Sequence, residues 1–197
     1  MAKRMETIIL ERYNLEKKDV VDIPKSRWKE MTPLFKDLGF KVGAEIGVFR
    51  GQFLKNLCQE FTMYGIDPWD DYVGYNDYKG GDFAGYEREA RKRVKDCDCK
   101  IIKKRSMDAV DDFEDESLDF VFIDGNHSLE FVIEDINAWS KKVRKGGIVA
   151  GHDYFRRHTD KAIDVKDAVN TWIYCKKIKP LFVFRGDKCP SWFFIKE

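Results

Sequence analysis

Between residues 26 and 38 the apolar side chains Trp28, Met31, Leu34, Phe35 and Leu38 recur at steps of three and four. That spacing lines one face of a helix, which Gly39 closes despite the internal Pro33. Beyond Gly39, short apolar runs alternate with helical periodicity. Residues 42–46 read as a strand, Phe53, Leu54, Leu57, Cys58 and Phe61 share a helix face, and residues 63–66 read as a second strand, so the segment predicts a β-α-β unit. A Gly- and aromatic-rich stretch, 69–86, leads into a charged helix at 86–95 and a strand at 100–103. Residues 118–123 form an almost unbroken apolar run, as a strand buried on both faces requires. Leu129, Val132, Ile133, Ile136 and Val143 mark the next helix, and Gly146-Gly147 turns into a strand at 148–150. The last elements are a helix at 164–176 and strands at 181–184 and 192–195. The six turn residues 185–190 between those two strands are too few for a crossover helix, so the strands are expected to pair antiparallel. The pattern therefore predicts an α/β fold, a parallel sheet finished by an antiparallel hairpin.

Composition narrows this further. The 197 residues are 43% hydrophobic, 14% aromatic and 36% charged, which suits one globular domain spanning residues 1–197, with 1–40 as a helical extension and 69–86 as an insertion. Lys and Arg number 36 against 35 Asp and Glu, a net charge of +1, which lacks the basic excess of a dedicated nucleic-acid binder. No window approaches the roughly 18 apolar residues that span a bilayer, and the first residues lack the apolar core of a secretory signal, so a cytoplasmic protein is expected. The five cysteines include no C-x-x-C pair. Disulfides are not expected to organise the fold, and Cys97-Asp98-Cys99 has no second pair at zinc spacing.

In an open α/β sheet, ligands lie beyond the carboxyl ends of the strands. The first such end reads Ala44-Glu45-Ile46-Gly47-Val48-Phe49-Arg50-Gly51, where Gly47 permits a tight turn and Gly51 lets the next helix begin close to a ligand. The second ends in Asp67-Pro68-Trp69, an acidic group about twenty residues beyond the Gly-containing turn, placed to accept both hydroxyls of a ribose. A dinucleotide would set its pyrophosphate over a G-x-G-x-x-G turn. Here the turn spaces Gly47 and Gly51 differently and carries the carboxylate of Glu45, which repels phosphate but suits an ammonium group. S-adenosylmethionine, with an ammonium, a sulfonium and no phosphate, fits better.

The segments AEIGVFRG, YGIDPW, LDFVFIDGNHSLEFVIEDI and KGGIVAGHDY resemble a class I S-adenosylmethionine-dependent methyltransferase, in the small family that includes sugar O-methyltransferases and cephalosporin-hydroxylase-like proteins. The likeness covers roughly residues 25–196. It implies a Rossmann-like sandwich with a mostly parallel seven-stranded sheet and a C-terminal antiparallel hairpin. It also implies that Glu45 and Gly47 contact the methionine part, that Asp67 binds the ribose with Pro68 and Trp69 beside it, and that Ser106 lies near the adenine. Arg105 departs from the pattern, since relatives tend to carry an acidic residue there.

After the fourth and fifth strands of this unit come Asp124-Gly-Asn-His127 and His152-Asp153-Tyr154, and adjacent strand ends bring Asp124, His127, His152 and Asp153 together. In sugar-modifying relatives, the resemblance implies, the counterpart of Asp124 and an acidic pair at 152 and 153 bind a divalent cation such as Mg²⁺ or Mn²⁺, with the counterpart of His127 as base. This chain has His152 in place of the first acid of that pair, and an imidazole shifts preference from Mg²⁺ toward Mn²⁺, Fe²⁺ or Zn²⁺. The aromatics Trp69, Tyr72, Tyr75, Tyr78, Phe83 and Tyr86, set among Gly74, Gly80, Gly81 and Gly85, suit either a lid that stacks on the acceptor or a cover over the nucleoside alone. Arg156-Arg157-His158 reads as a solvated surface run, with a phosphate or carboxylate clamp as its alternative. The expected activity is O-methylation of a small-molecule or sugar acceptor. The rivals are an NAD(P)-dependent oxidoreductase, which also uses an acid on the ribose, and a non-catalytic nucleoside-binding module.

Overall fold

A computed structural model describes residues 2–71, 80–157 and 163–197. In chain order the elements are α1 (Ala2–Tyr13), β1 (Val20–Ile23), α2 (Arg27–Asp37), β2 (Val42–Ile46), α3 (Gln52–Leu57), β3 (Thr62–Ile66), α4 (Phe83–Val94), β4 (Cys99–Ile102) and α5 (Ser106–Ala109). A short 3-10 turn at Val110–Asp112 follows, and then β5 (Leu118–Ile123), α6 (Leu129–Lys142), β6 (Val143–Gly151), α7 (Val165–Lys176), β7 (Leu181–Phe184) and β8 (Ser191–Ile195).

The strands form one sheet in the order β1-β7-β8-β6-β5-β2-β3-β4. Neighbours run parallel except where β8 meets β6 and β7. The antiparallel terminal hairpin and the seven strands read from the sequence are all present. The eighth strand, β1, lies in the segment that the sequence pattern assigns to a helical extension. It pairs with β7 from Val20↔Leu181 to Ile23↔Phe184 and becomes one edge of the sheet. Helix α1 precedes it and buries Met5 and Ile9. β6 also begins earlier than expected: it starts at Val143 and runs through the Gly146-Gly147 pair read as a turn, with a register shift against β5 between Leu118 and Phe120.

Strand alternation divides the core in two. Phe120, Phe122, Phe182, Phe184 and Phe193 point to the face covered by α1, α2, α3 and α4. Val121, Ile123, Val149, Val183 and Trp192 point to the face covered by α5, α6 and α7. β5 is thus buried on both sides, which is why it reads as a continuous apolar run. One expectation is overturned: Cys58, at the end of α3, is joined to Cys97, just past α4, across a Cα–Cα distance of 5.6 Å. The helical packing brings together two cysteines 39 residues apart, a pairing that spacing in the sequence does not encode. Among the described residues, no helix is long and apolar enough to cross a membrane.

Candidate active site

The carboxyl ends of β2, β3 and β5, with the residues after β4, surround a cavity of about 360 Å³. The strand ends are tied together by the Asp124 N–H donating to Ile46 O at 2.7 Å and the Gly47 N–H donating to Ile66 O at 2.9 Å. At Gly47 φ is +87°, and a Cβ there would lie 2.1 Å from the Asp124 carbonyl oxygen, so this approach of β2 to β5 needs glycine on both counts. Gly47, Asp67, Pro68, Trp69, Ser106 and Asp124 all line the cavity.

Asp67 is held by the loops it faces. Its Oδ2 accepts the Phe49 N–H at 2.8 Å and its Oδ1 accepts the Trp69 N–H at 2.7 Å, while the Trp69 indole donates to Phe49 O at 2.7 Å. Burial raises its pKa above the ordinary carboxylate value, and these backbone donors oppose that rise. Each carboxylate oxygen keeps a lone pair beyond its backbone bond. Phe49 and Tyr86 pack at 4.6 Å beside this end of the cavity. Tyr72, Tyr75, Tyr78 and Gly74 of the insertion, like His158 of the basic run, lie outside the described residues.

Two residues read as cofactor contacts do not reach this cavity. Glu45 is 2% exposed and faces the opposite side of the sheet, because alternation along β2 puts Ile46 toward the cavity and Glu45 beside Phe122, its partner on β5. Burial, and then the charge of Asp124, hold its carboxyl well above the usual carboxylate range. Gly51 starts α3 at φ +74°, but the atoms a Cβ would meet belong to Ala90 of α4, at 3.0 Å, so it serves helix packing.

The four residues expected at the ends of β5 and β6 do converge. One ligating atom each from Asp124, His152 and Asp153 lies within 4.8 Å of the others. His152 Nδ1 stands 2.8 Å from Asp153 Oδ1, and Asp153 adopts φ +54°, a conformation uncommon outside glycine and concentrated at functional sites. His127 Nε2 lies 3.3 Å from Asp153 Oδ2 and 3.6 Å from Asp124 Oδ1. The turn into α6 is made by Asn126, whose Oδ1 accepts from the Ser128 N–H at 3.0 Å and from its hydroxyl at 2.8 Å, which leaves Asp124 free of capping work. Tyr154 packs in the core with its hydroxyl on Asn170 at 2.6 Å. Arg156 pairs with Asp167 at 2.5 Å.

Sequence reasoning missed two residues here, both on helices. Arg27, at the start of α2, is 5% exposed. Its guanidinium lies 4.7 Å from the centre of the Phe53 ring and 4.8 Å from that of Trp28, and its Nη1 is 3.4 Å from Ser191 Oγ and 4.0 Å from Asp124 Oδ2. Burial lowers its pKa, and the charges of Asp124, Glu45, Asp187 and Asp153 counter that, so its guanidinium faces an acidic group drawn from four elements and loops. Asp187, in the β7–β8 turn, anchors it further by accepting from the Arg27 N–H at 2.8 Å and from the Ser26 hydroxyl at 2.6 Å. The second missed residue is Asp135 on α6, 5% exposed on the cavity wall and hydrogen-bonded to the Ser106 hydroxyl. No sequence signal marks either one.

A parallel sheet ordered in this way, with an antiparallel terminal hairpin and a cavity at its strand ends closed by an acid after β3, defines the class I methyltransferase fold. Residues 44–154 match the Methyltransf_24 family model, described as a methyltransferase domain, and the chain belongs to that family. This decides against the nicotinamide-dependent reading. Among solved structures, an O-methyltransferase from Bacillus cereus in complex with S-adenosylhomocysteine is similar, with a TM-score of 0.65 and 13% identity over 99% of this chain and 90% of that one. The O-methyltransferase TomG from Streptomyces achromogenes, involved in tomaymycin synthesis and solved with S-adenosylmethionine, gives a TM-score of 0.62 and 13% identity over 100% and 89%. At these identities the likeness is one of fold. A curated relative, protein R132 of Acanthamoeba polyphaga mimivirus, is 30% identical over 122 residues, 56% of this chain and 50% of that protein. The chain thus spans about half the length of the curated relative it matches.

Proposed function

We propose that this protein transfers the methyl group of S-adenosylmethionine to a hydroxyl oxygen of a small or carbohydrate-like acceptor, with a divalent cation held by Asp124, His152 and Asp153. The observation that carries the reading is the convergence of those three side chains, within 4.8 Å of one another, beside a cavity that Asp67 and Trp69 help to line.

The cavity fits the nucleoside. Asp67 keeps one lone pair on each oxygen for two ribose hydroxyls, and Trp69, Phe49 and Phe131 line it with flat apolar surface for a base. One imidazole and two carboxylates suit a borderline cation such as Mn²⁺ better than the all-oxygen set that Mg²⁺ prefers. The sulfonium supplies an electrophilic methyl carbon, so that the C–O bond forms as the C–S bond breaks and the electron pair stays on sulfur. A divalent cation at this place would supply Lewis acidity toward the acceptor hydroxyl. His127 takes the hydroxyl proton at Nε2, and Asp124 and Asp153 on either side stabilise the imidazolium. Arg27 limits the repulsion among the acids, holding Asp124 in place for its role.

Turnover assayed on a panel of sugars and phenols, with S-adenosylhomocysteine affinity measured alongside, tests this reading. Chelator and Asp153→Asn should each abolish transfer while leaving S-adenosylhomocysteine bound, and Mn²⁺ should restore activity at lower concentration than Mg²⁺. Full activity in chelator together with a silent Asp153→Asn would refute the metal-assisted mechanism.

A further inference from the structure

Asp135 is a buried acid that the chemistry above does not use. Its carboxyl sits on the cavity wall, with Oδ2 3.7 Å from where a Cβ on Gly125 would stand, beside the loop that carries Asp124. The donors around it are sparse. Trp139 Nε1–H donates to Ser106 Oγ at 2.8 Å, so the one hydroxyl proton of Ser106 is left to point at Asp135 Oδ1. Among the described residues no Lys, Arg or His lies within 4.0 Å of this carboxyl. A buried carboxylate with one neutral donor and no counter-ion costs several kcal/mol, and such a group keeps its proton instead.

We propose that Asp135 and Ser106 form the base-recognition end of the cavity, where Asp135 presents a neutral carboxylic acid to the adenine edge. Its carbonyl oxygen accepts from the exocyclic amine and its O–H donates to a ring nitrogen. The inference rests on the nucleoside reading of the cavity and adds the form in which the protein reads the base. A neutral acid offers a donor and an acceptor side by side, matching the amine and adjacent ring nitrogen of adenine. A carboxylate would match the amine and repel the lone pair of the nitrogen.

The surrounding charges agree. Burial is the main reason that the Asp135 pKa is pushed up to about 7, the Ser106 hydroxyl opposes it, and Glu134 on the same helix adds to it. Asp108 on α5, Asp111 and Asp112 on the 3-10 turn, and Lys166 and Lys176 on α7 are exposed to solvent. Asp167 of α7 is engaged with Arg156, and Arg105 at the cavity mouth donates to Asp71 O at 3.1 Å.

The test is calorimetric titration of S-adenosylhomocysteine into wild-type protein and two variants at pH 6 and pH 8, each in two buffers of different ionisation enthalpy. For a group that must be neutral to bind and titrates near 7, wild-type affinity should fall about tenfold from pH 6 to pH 8, with close to one proton taken up per ligand at pH 8. Asp135→Asn keeps a donor and an acceptor in the same places. It should bind about as tightly as wild type at pH 6, at both pH values and without the proton. Asp135→Ala should be about tenfold weaker at both. Wild-type proton uptake needs no variant and stands as evidence if Asp135→Asn does not fold. Absence of binding at either pH overturns the nucleoside reading and this proposal with it. Binding that is tight and flat with pH, or an Asp135→Asn protein weakened tenfold at pH 6, overturns this proposal alone.

Discussion

Replacing Arg27 with Met probes how the acidic reaction site is made tolerable to the fold. Methionine keeps much of the stem that packs on Phe53, Trp28 and Phe122 while deleting the charge. What remains is Glu45, fully buried, within the influence of the charges of Asp124 and Asp67 and without the guanidinium that offset them. Removing one partner of a buried charge pair costs about 3 to 5 kcal/mol, because the other charge stays behind uncompensated. At about 2 to 4 °C per kcal/mol for a chain of this size, the variant should melt about 6 to 20 °C below wild type at pH 8. The pH dependence follows from the direction of the shift at Glu45. Its folded-state pKa already lies above the unfolded value, and loss of Arg27 raises it further. Such a group contributes stability that is present below the unfolded pKa and is lost as pH rises through the folded one. The deficit should therefore be larger at pH 8 than at pH 5, where Glu45 enters the folded state as a neutral acid. Differential scanning calorimetry at the two pH values decides it. A variant melting within about 2 °C of wild type at pH 8, or showing the same deficit at both, would refute the reasoning.

Asp67→Ala removes the carboxylate proposed to accept two ribose hydroxyls and should weaken S-adenosylhomocysteine binding about ten- to a hundredfold, as read by calorimetry; unchanged affinity would place the nucleoside elsewhere. His127→Ala should lower turnover about 10²- to 10⁴-fold while equilibrium dialysis shows the same Mn²⁺ binding, and loss of the metal would make His127 a ligand. For Asp135, whose folded pKa of about 7 exceeds the unfolded one, wild-type stability should fall by about 1.4 kcal/mol between pH 6 and pH 8; denaturant titration of Asp135→Asn should lack that loss.

The strands from β2 onward are legible because each is a run of apolar residues bounded by turns, and their parallel order alone sets Asp67, Asp124, His127, His152 and Asp153 at one edge. β1 is not, since Val20-Val21-Asp22-Ile23 is too short for alternation to stand out, and its partner β7 lies at the far end of the chain. α1 buries only Met5 and Ile9 among charged neighbours, a weak stripe. Glu45 shows the reverse difficulty. The motif marked it as a ligand contact, but the two-residue period of a strand turned it to the side of Arg27. Arg27 and Asp135 themselves sit on helices, where the direction a polar side chain faces depends on which neighbour the helix packs against. Nothing in the local pattern carries that information.

The pairing of β1 with β7 also orders events during synthesis. A nascent chain releases β1 and α2 early, yet the strand that completes the first lies 161 residues downstream and the Asp187 carboxylate that anchors the second 160. Until the β7–β8 turn has left the ribosome, Arg27 lacks Ser191 and Asp187, and the acids it offsets face one another with that cation unanchored. Asp124, His127 and Asp153 are therefore all translated before the contacts that anchor Arg27 exist, and a chain stopped short of the hairpin carries that acidic cluster without its anchored counter-charge.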